Sequence, residues 1–262
     1  MKRIICLLLA VLMLAGALTA CSGGEGDDWK NIKKRKTLLI GVTEYPPFTY
    51  SENNAYTGFD AELAQTVCEK LGITAEFVPI EWTEKELALD EKRIDVIWSG
   101  LTITPARRGN MDFSAPYLNN RQCIVVKADH ASDYSGVSSF DGKKVVAANG
   151  SAGEAAARYI LIDAVFEAVS TPANALRLVK KGEADAAVVD YSMAEILTAE
   201  DKDYSDLKIL SYISLMDEEY AVGFRKGSTA LPEIDKILEE LLSDGTVAAL
   251  AEKYGLSRIC IQ

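Results

Sequence analysis

Histidine is almost missing from this chain. Of its 262 residues only His130 is one, beside Asp129 and near Asp133 in a polar stretch. A lone imidazole in such a loop reads as a solvated side chain, and centres that need several histidine ligands are excluded. No C-x-x-C pair occurs either. Of five cysteines, Cys6 and Cys21 lie in or at the end of an apolar leader, which leaves Cys68, Cys123 and Cys260. Three cannot all pair within one chain, so this is no disulfide scaffold. Cys68 on an apolar helix face and Cys123 in an apolar strand read as buried thiols. Positive charge is in deficit, with 28 Lys and Arg against 39 Asp and Glu and a net charge of −11. That balance offers no basic patch to nucleic acid. A Walker lysine is absent from the small-residue turn Asn149–Glu154, which removes nucleotide phosphate from the candidates. The pattern therefore implies no metal and no cofactor.

What is present begins with the leader. Lys2 and Arg3 precede an apolar run from Ile4 to Leu18, too short for a comfortable membrane span and shaped like a signal peptide over residues 1–20. It ends Leu18-Thr19-Ala20-Cys21. Small residues before a cysteine resemble the lipobox of bacterial lipoproteins, in which the cysteine receives acyl chains such as palmitate and becomes the mature N-terminus. Residues 21–36 are expected to form a flexible tether. The protein is then held by lipid to the outer face of the cytoplasmic membrane.

Beyond the leader nearly half the residues are hydrophobic, and the length suits two domains. The central stretch is Asp95–Arg108, DVIWSGLTITPARR. Val96–Trp98 reads as a buried strand, Ser99, Gly100 and Thr102 as an open polar turn, and Thr104-Pro105 as an N-cap with proline at the first helical position. Arg107 falls in that first turn. Helix-end N–H groups, a hydroxyl and a guanidinium converge there, which is chemistry for a carboxylate. A second strand, Lys143–Ala148, also empties into a capped helix, with Ser151 and Glu154 at capping-box spacing. A third, ending at Asp190, offers either an N-terminal turn residue or an acceptor for a cation.

Elsewhere, Tyr45-Pro46-Pro47-Phe48 follows the strand Thr37–Val42 and is expected to run extended at a sheet edge where ligands bind in open α/β sheets, with Phe48 packed against the domain and Tyr45 either packed or facing a ligand. Asp60 reads as the N-cap of the helix that carries Leu63, Val67 and Leu71. Thr83 and Glu86 have capping-box spacing, as do Ser192 and Glu195. Trp82 and Leu87 are spaced as a hydrophobic staple, so Trp82 is either structural or ligand-facing. Residues 83–99 and 171–190 echo one another as capped helix, basic turn, Asp and apolar strand, which points to two domains of similar topology. The chain is expected to cross between them near His130–Ser139 and again near Asp217–Arg225.

In order, the chain carries G-x-T-x-Y-P-P-F, G-F-D-x-E-L-A, D-V-I-x-S-G-L-T-I-T-P-x-R, D-F-S-x-P-Y, G-S-A, D-A-x-V-x-D and Y-A-V-G-F-R-K-G. Together they resemble the family 3 extracellular solute-binding proteins, receptors that deliver polar amino acids to ATP-driven importers. The resemblance spans about residues 37–258. It implies a two-lobed α/β fold of periplasmic-binding-protein type II, with a two-strand hinge and a central cleft. Lobe one is expected at 37–126 plus 222–262, lobe two at 127–221. It also implies roles: Arg107 on the ligand α-carboxylate; Ser99, Gly100 and Thr102 on carboxylate and ammonium; Asp190 on the ammonium; Tyr45 and Trp82 sandwiching the side chain; and a second helix end at Ser151, Ala152 and Gly153. Many relatives have a hydroxyl residue where this chain has Ala152, so one side-chain contact is missing and a backbone N–H remains. The implied partners are a free polar L-α-amino acid and an ABC permease, with the receptor a monomer. Two alternatives share the scaffold: an enzyme like the cyclohexadienyl dehydratases, for which Glu44 is the candidate acid, and a ligand-sensing module working with a partner in trans.

Overall fold

The computed structural model describes residues 27–261, so the leader and Cys21 lie outside the described residues. From the amino end the elements are α1 (Asp28–Arg35), β1 (Thr37–Val42), the hairpin β2 (Tyr50–Glu52) and β3 (Ala55–Thr57), α2 (Phe59–Leu71), β4 (Thr74–Pro79), α3 (Lys85–Asp90), β5 (Val96–Ile97), α4 (Pro105–Asn110) and β6 (Met111–Phe113). The middle of the chain gives β7 (Leu118–Lys127), β8 (Lys144–Ala148), α5 (Ala152–Ile160), β9 (Val165–Val169), α6 (Pro172–Lys181), β10 (Ala186–Asp190), α7 (Tyr191–Leu197), β11 (Leu207–Ile209) and β12 (Met216–Tyr220). β13 (Gly223–Arg225), α8 (Leu231–Ser243) and α9 (Thr246–Lys253) complete it.

Two mixed sheets result. The first has the order β4-β1-β5-β13-β6, its first three strands parallel and β13 antiparallel to both neighbours. The second runs β11-β7-β10-β8-β9, with β12 also paired to β7. Successive strand residues point to opposite faces, and both faces are covered. Val96 joins the large core with Trp98 and Phe224, while Ile97 joins Leu89, Ile94 and Leu101 on the other side. Val125 and Ile124 divide likewise in the second sheet. The echo between residues 83–99 and 171–190 is real as topology: α3 leads to β5 and α6 to β10, each strand central in its own sheet.

The crossing points differ from expectation. Residues 118–126 were expected in lobe one, but β7 pairs with β10, β11 and β12 and belongs to the second sheet. The outward crossing is therefore at Ser114–Tyr117, and the return at Ala221–Val222. These segments lie side by side, with Tyr117 N–H donating to Tyr220 O at 3.0 Å and Ser114 N–H to Val222 O at 3.0 Å. The run Asn119-Asn120-Arg121-Gln122 hides the strand because its side chains serve a polar site rather than a core. His130–Ser139 is no crossing: it lies in two short 3-10 turns, and the rings of Tyr134 and Phe140 stack on each other with centroids 4.6 Å apart.

The expected tether is also shorter. Residues 28–35 form α1, seated on the first lobe through buried Ile32 and the Asp28–Arg225 ion pair at 3.1 Å. Asp27 caps it by accepting the Lys30 N–H. Tyr45–Phe48 is a turn rather than an extended segment: the Tyr45 carbonyl accepts N–H bonds from Phe48 and Thr49, and the Pro46–Pro47 peptide is cis. No helix among the described residues is long and apolar enough to cross a membrane.

Candidate functional site

The three capped helix starts that project toward the gap between the lobes form as their local sequence dictates. Thr104 accepts the Arg107 N–H, Ser151 the Glu154 N–H and Thr171 the Asn174 N–H, each near 3.0 Å. Pro105 and Pro172 sit in the first turns of α4 and α6, where no N–H is missed. Glu154 reaches one residue past the N-cap and accepts the Gly150 N–H at 2.7 Å. Gly153 lets α5 approach β10, since a Cβ there would lie 2.7 Å from the Val188 carbonyl oxygen.

Between the lobes lies a cavity of about 280 Å³. Nine of the ten residues singled out for ligand contact line it: Tyr45, Trp82, Ser99, Gly100, Thr102, Arg107, Ser151, Ala152 and Asp190, while Gly153 does not. Glu44 lines it too, as do Tyr56, Ile80, Glu81 and Ser170–Pro172, which sequence reasoning did not select.

One end of the cavity is cationic. Arg107 is 7% exposed, and its guanidinium donates to the Thr102 carbonyl at 2.8 Å and, across the gap, to the Gly150 carbonyl at 3.2 Å. Burial lowers its pKa, while Glu218 and Asp190 act in the opposite sense. Lys85 stands beside it. Its Nζ donates to the Trp82 carbonyl at 3.1 Å and the Gly150 carbonyl at 3.4 Å, and lies 4.8 Å from the centre of the Trp82 ring. Burial, then repulsion by Arg107, brings its pKa down to about 8. Nothing in the sequence around Lys85 marked it, because its role comes from the fold.

The other end is acidic. Asp190 Oδ1 accepts from Gln122 Nε2 at 2.6 Å and Asn120 Nδ2 at 3.0 Å, and its Oδ2 accepts the Tyr45 hydroxyl of the opposite lobe. Glu218, cross-strand from Asn120, accepts from the same two amides. Burial and the nearness of Asp190 push the Glu218 carboxyl well above the ordinary carboxylate range. Tyr220 joins the network, accepting from Asn120 at 2.8 Å.

The turn between the two ends is held from beneath. Asp60 does not cap α2; Gly58 occupies the cap position. Asp60 is fully buried, accepting the Gly100 N–H at 2.6 Å and the Tyr117 hydroxyl at 2.8 Å, and burial raises its pKa to about 7. Gly100 has φ +60°, and a Cβ there would meet the Tyr45 ring at 2.5 Å, so only glycine fits. Tyr45 is 6% exposed with one face on Phe48, ring centroids 5.3 Å apart.

Two other capping boxes are not formed. α3 has no side-chain cap, and Glu86 instead accepts from Asn110; Leu87 is 49% exposed, so no staple forms with Trp82, which turns to the cavity. α7 is also uncapped: Asp190 stands at its N-cap position but its carboxylate is committed to the amides, and Glu195 bonds Tyr191 and Arg258. Glu44 is exposed and accepts the Ser51 N–H. Among the described residues no group of three or more His, Cys, Asp or Glu is arranged to hold a metal ion.

Comparison with known proteins places this geometry in context. The family model for bacterial extracellular solute-binding proteins, family 3, matches residues 38–257. The chain is 30% identical to the L-cystine-binding protein TcyJ of Escherichia coli K12, covering 94% of this chain and 92% of that one. It superposes on an ABC uptake transporter substrate binding protein from Streptococcus pneumoniae with bound histidine at a TM-score of 0.81, with 29% identity and 90% and 99% of the two chains covered. An ancestral amino acid-binding protein, AncCDT-1, described as a precursor of cyclohexadienyl dehydratase, matches at TM-score 0.79 and 33% identity, covering 86% and 98%.

Proposed function

The chain belongs to the bacterial extracellular solute-binding proteins of family 3, and on that premise we propose that it holds a free polar L-α-amino acid between its lobes and hands it to the permease of an ABC importer. Membership puts its site of action outside the cytoplasm. One observation carries the ligand class: Arg107 and Asp190 come from different lobes onto one small cavity. An α-amino acid presents a carboxylate and an ammonium a few ångströms apart. The carboxylate meets Arg107 and the first-turn amides of α5 at Ser151 and Ala152; the ammonium meets Asp190. Ser99, Gly100 and Thr102 line the space between, and the side chain extends along Trp82, Tyr45 and Tyr56. A volume of about 280 Å³ is at the low end for small-molecule sites, which favours a single amino acid over a peptide. Contacts made by both lobes at once stabilise the closed arrangement over the open one, and that difference drives closure.

The enzyme reading is weaker. A dehydratase needs a general acid against the substrate, and Glu44, the candidate, is an exposed side chain already holding the Ser51 N–H. We further propose that residues 1–20 are removed, that Cys21 is acylated, and that residues 21–27 tether a monomeric receptor to the membrane.

A thermal-shift screen tests the central reading. At least one of the twenty common L-amino acids or L-cystine is expected to raise Tm by several degrees at saturating concentration. The corresponding decarboxylated amines, such as agmatine and histamine, leave Tm unchanged because nothing then engages Arg107. If no amino acid stabilises the protein, the reading fails.

A further inference from the structure

At the acid end Asp190 lines the cavity and a second carboxyl group, that of Glu218, stands behind it, where one ligand ammonium needs one. Gln122 Nε2 donates to Asp190 Oδ1 at 2.6 Å and to Glu218 Oε1 at 2.8 Å. Asn120 Nδ2 donates to the same two oxygens and to the Tyr220 hydroxyl. The two acids are thus separated by single amide nitrogens, and the two N–H hydrogens of Asn120 face three acceptors. Asp190 ends β10, whereas Glu218 lies on β12, the strand that leads back to the first lobe. Glu218 also lines a second cavity with Ile103, Asn119, Asn120, Asp217 and Glu219. None of these six residues lines the ligand cleft, so Glu218 reaches solvent by a route that an occupied cleft does not block.

We propose that Glu218 is the second acid of the ammonium pole: it carries a proton in the ligand-free protein, and that proton leaves to solvent when a ligand ammonium docks on Asp190. The inference rests on the amino-acid reading above. A second negative charge this close to the Asp190 carboxylate in a buried network is disfavoured, which keeps the proton on Glu218. An incoming ammonium replaces the proton as the compensating charge. Atoms balance simply: the Glu218 O–H bond breaks, the ligand stays an ammonium, and one H⁺ passes to buffer.

The other groups around the pair do not supply this proton. Burial holds the Tyr45 and Tyr220 hydroxyls and the Cys123 thiol in their neutral forms. Arg107, on α4, stays charged and draws Glu218 toward ionisation. Asp217 and Glu219 flank Glu218 on the exposed side of β12, and Arg121 on β7 lies over the Tyr191 ring, with its guanidinium carbon 4.1 Å from the ring centre. At Glu218, burial and then Asp190 outweigh the amides of Asn120 and Gln122, which favour the ionised form. Because protons are released on binding, affinity rises with pH, by up to about tenfold per pH unit where release is complete.

Isothermal titration calorimetry of the whole soluble protein, in pairs of buffers with different ionisation enthalpies, tests this. L-Arginine and L-glutamine serve as probes, since neither titrates between about pH 5.5 and 7.5; if neither binds, the tightest non-titrating amino acid of the thermal-shift screen replaces them. The expected result is release of up to one proton per ligand, with affinity climbing across that range. Glu218→Gln keeps an acceptor for both amides but has no proton to lose, so release falls to zero and the pH slope flattens. Glu218→Asp restores release. Equal apparent enthalpies in all buffers for the natural protein, or undiminished release in a folded Glu218→Gln, overturns the proposal. If Glu218→Gln does not fold, Glu218→Asp takes its place: release persists with its pH midpoint moved, and an unmoved midpoint overturns the proposal. Should no amino acid bind at all, the functional reading falls and takes this inference with it; binding without proton release sinks the inference alone.

Discussion

The two ends of the cleft are built in opposite ways. The cationic end is assembled from short, contiguous segments. Thr104-Pro105-x-Arg107 delivers the guanidinium and Ser151-Ala152-Gly153-Glu154 the facing helix start, each set by its own cap. The acidic end is assembled across strands. Asp190 closes β10, Asn120 and Gln122 come from β7, Glu218 from β12 and Tyr45 from the other lobe. A locally built site keeps several donors when one is removed but depends on one guanidinium, since the Lys85 ammonium beside it is held by the Trp82 and Gly150 carbonyls. A network built across strands has redundancy in charge and depends on every amide being in register. The two ends should therefore respond differently to substitution.

The largest effect is expected at Arg107. Arg107→Ala removes the one guanidinium facing the ligand carboxylate and leaves that charge desolvated, which typically costs ~2–5 kcal/mol, about thirtyfold or more in affinity. Asp190→Asn comes second, with a loss of roughly ten- to thirtyfold, or about 1.4–2 kcal/mol, because Glu218 stays behind with the same two amides. Calorimetric titration of both variants with the best ligand checks the order. A loss at Asp190 equal to or greater than that at Arg107 would break the comparison and mean that Glu218 cannot stand in.

This asymmetry also governs how much could be read from the sequence. The caps at Thr104, Ser151 and Thr171 were legible because a cap is a bond between residues three apart, and Arg107 follows directly from the first of them. The same logic failed at Asp60, Thr83 and Ser192, where the spacing is present but no cap bond forms. Asp60 is recruited by Gly100 and Tyr117, 40 and 57 residues away. Asp190 could be proposed only as one of two options. Glu218 and Lys85 were not legible at all, since no local pattern separates them from the solvated charges beside them. The strand β7 was half hidden for the same reason: its first residues are polar in order to serve the acidic end.

Asp60 sharpens the comparison from below, because it supports the turn both ends share. Its folded pKa of about 7 stands above the unfolded value of 3.8, so the folded state binds more protons between those two values. Stability contributed by this group therefore falls as pH rises from about 4 to 7 and stays lower above that. Asp60→Asn removes the burden of the ionised form while keeping an acceptor for Gly100 N–H. Thermal melts are expected to lose less Tm between about pH 5 and 8 in the variant than in the natural protein, by several degrees. Identical pH profiles would mean that Asp60 is not the group that titrates.

The smallest predicted effect is at Tyr45, which bears on whether the two ends are coupled. Its hydroxyl reaches from the first lobe to Asp190 Oδ2 in the second. A carboxylate oxygen accepts two hydrogen bonds, so the hydroxyl and a ligand ammonium can occupy Asp190 together rather than compete. Tyr45→Phe then removes one of the bonds that favour the closed arrangement while leaving the ring on Phe48 and Gly100. With two amides still on Asp190, the loss is about 1 kcal/mol, roughly fivefold in affinity. The ligand-free protein also shifts toward the open form, measurable as a larger radius of gyration in small-angle scattering. Tighter binding in Tyr45→Phe would instead mean that the hydroxyl occupies the place of the ammonium. The acidic end would then be a plugged site that ligand must first clear, rather than a preformed one.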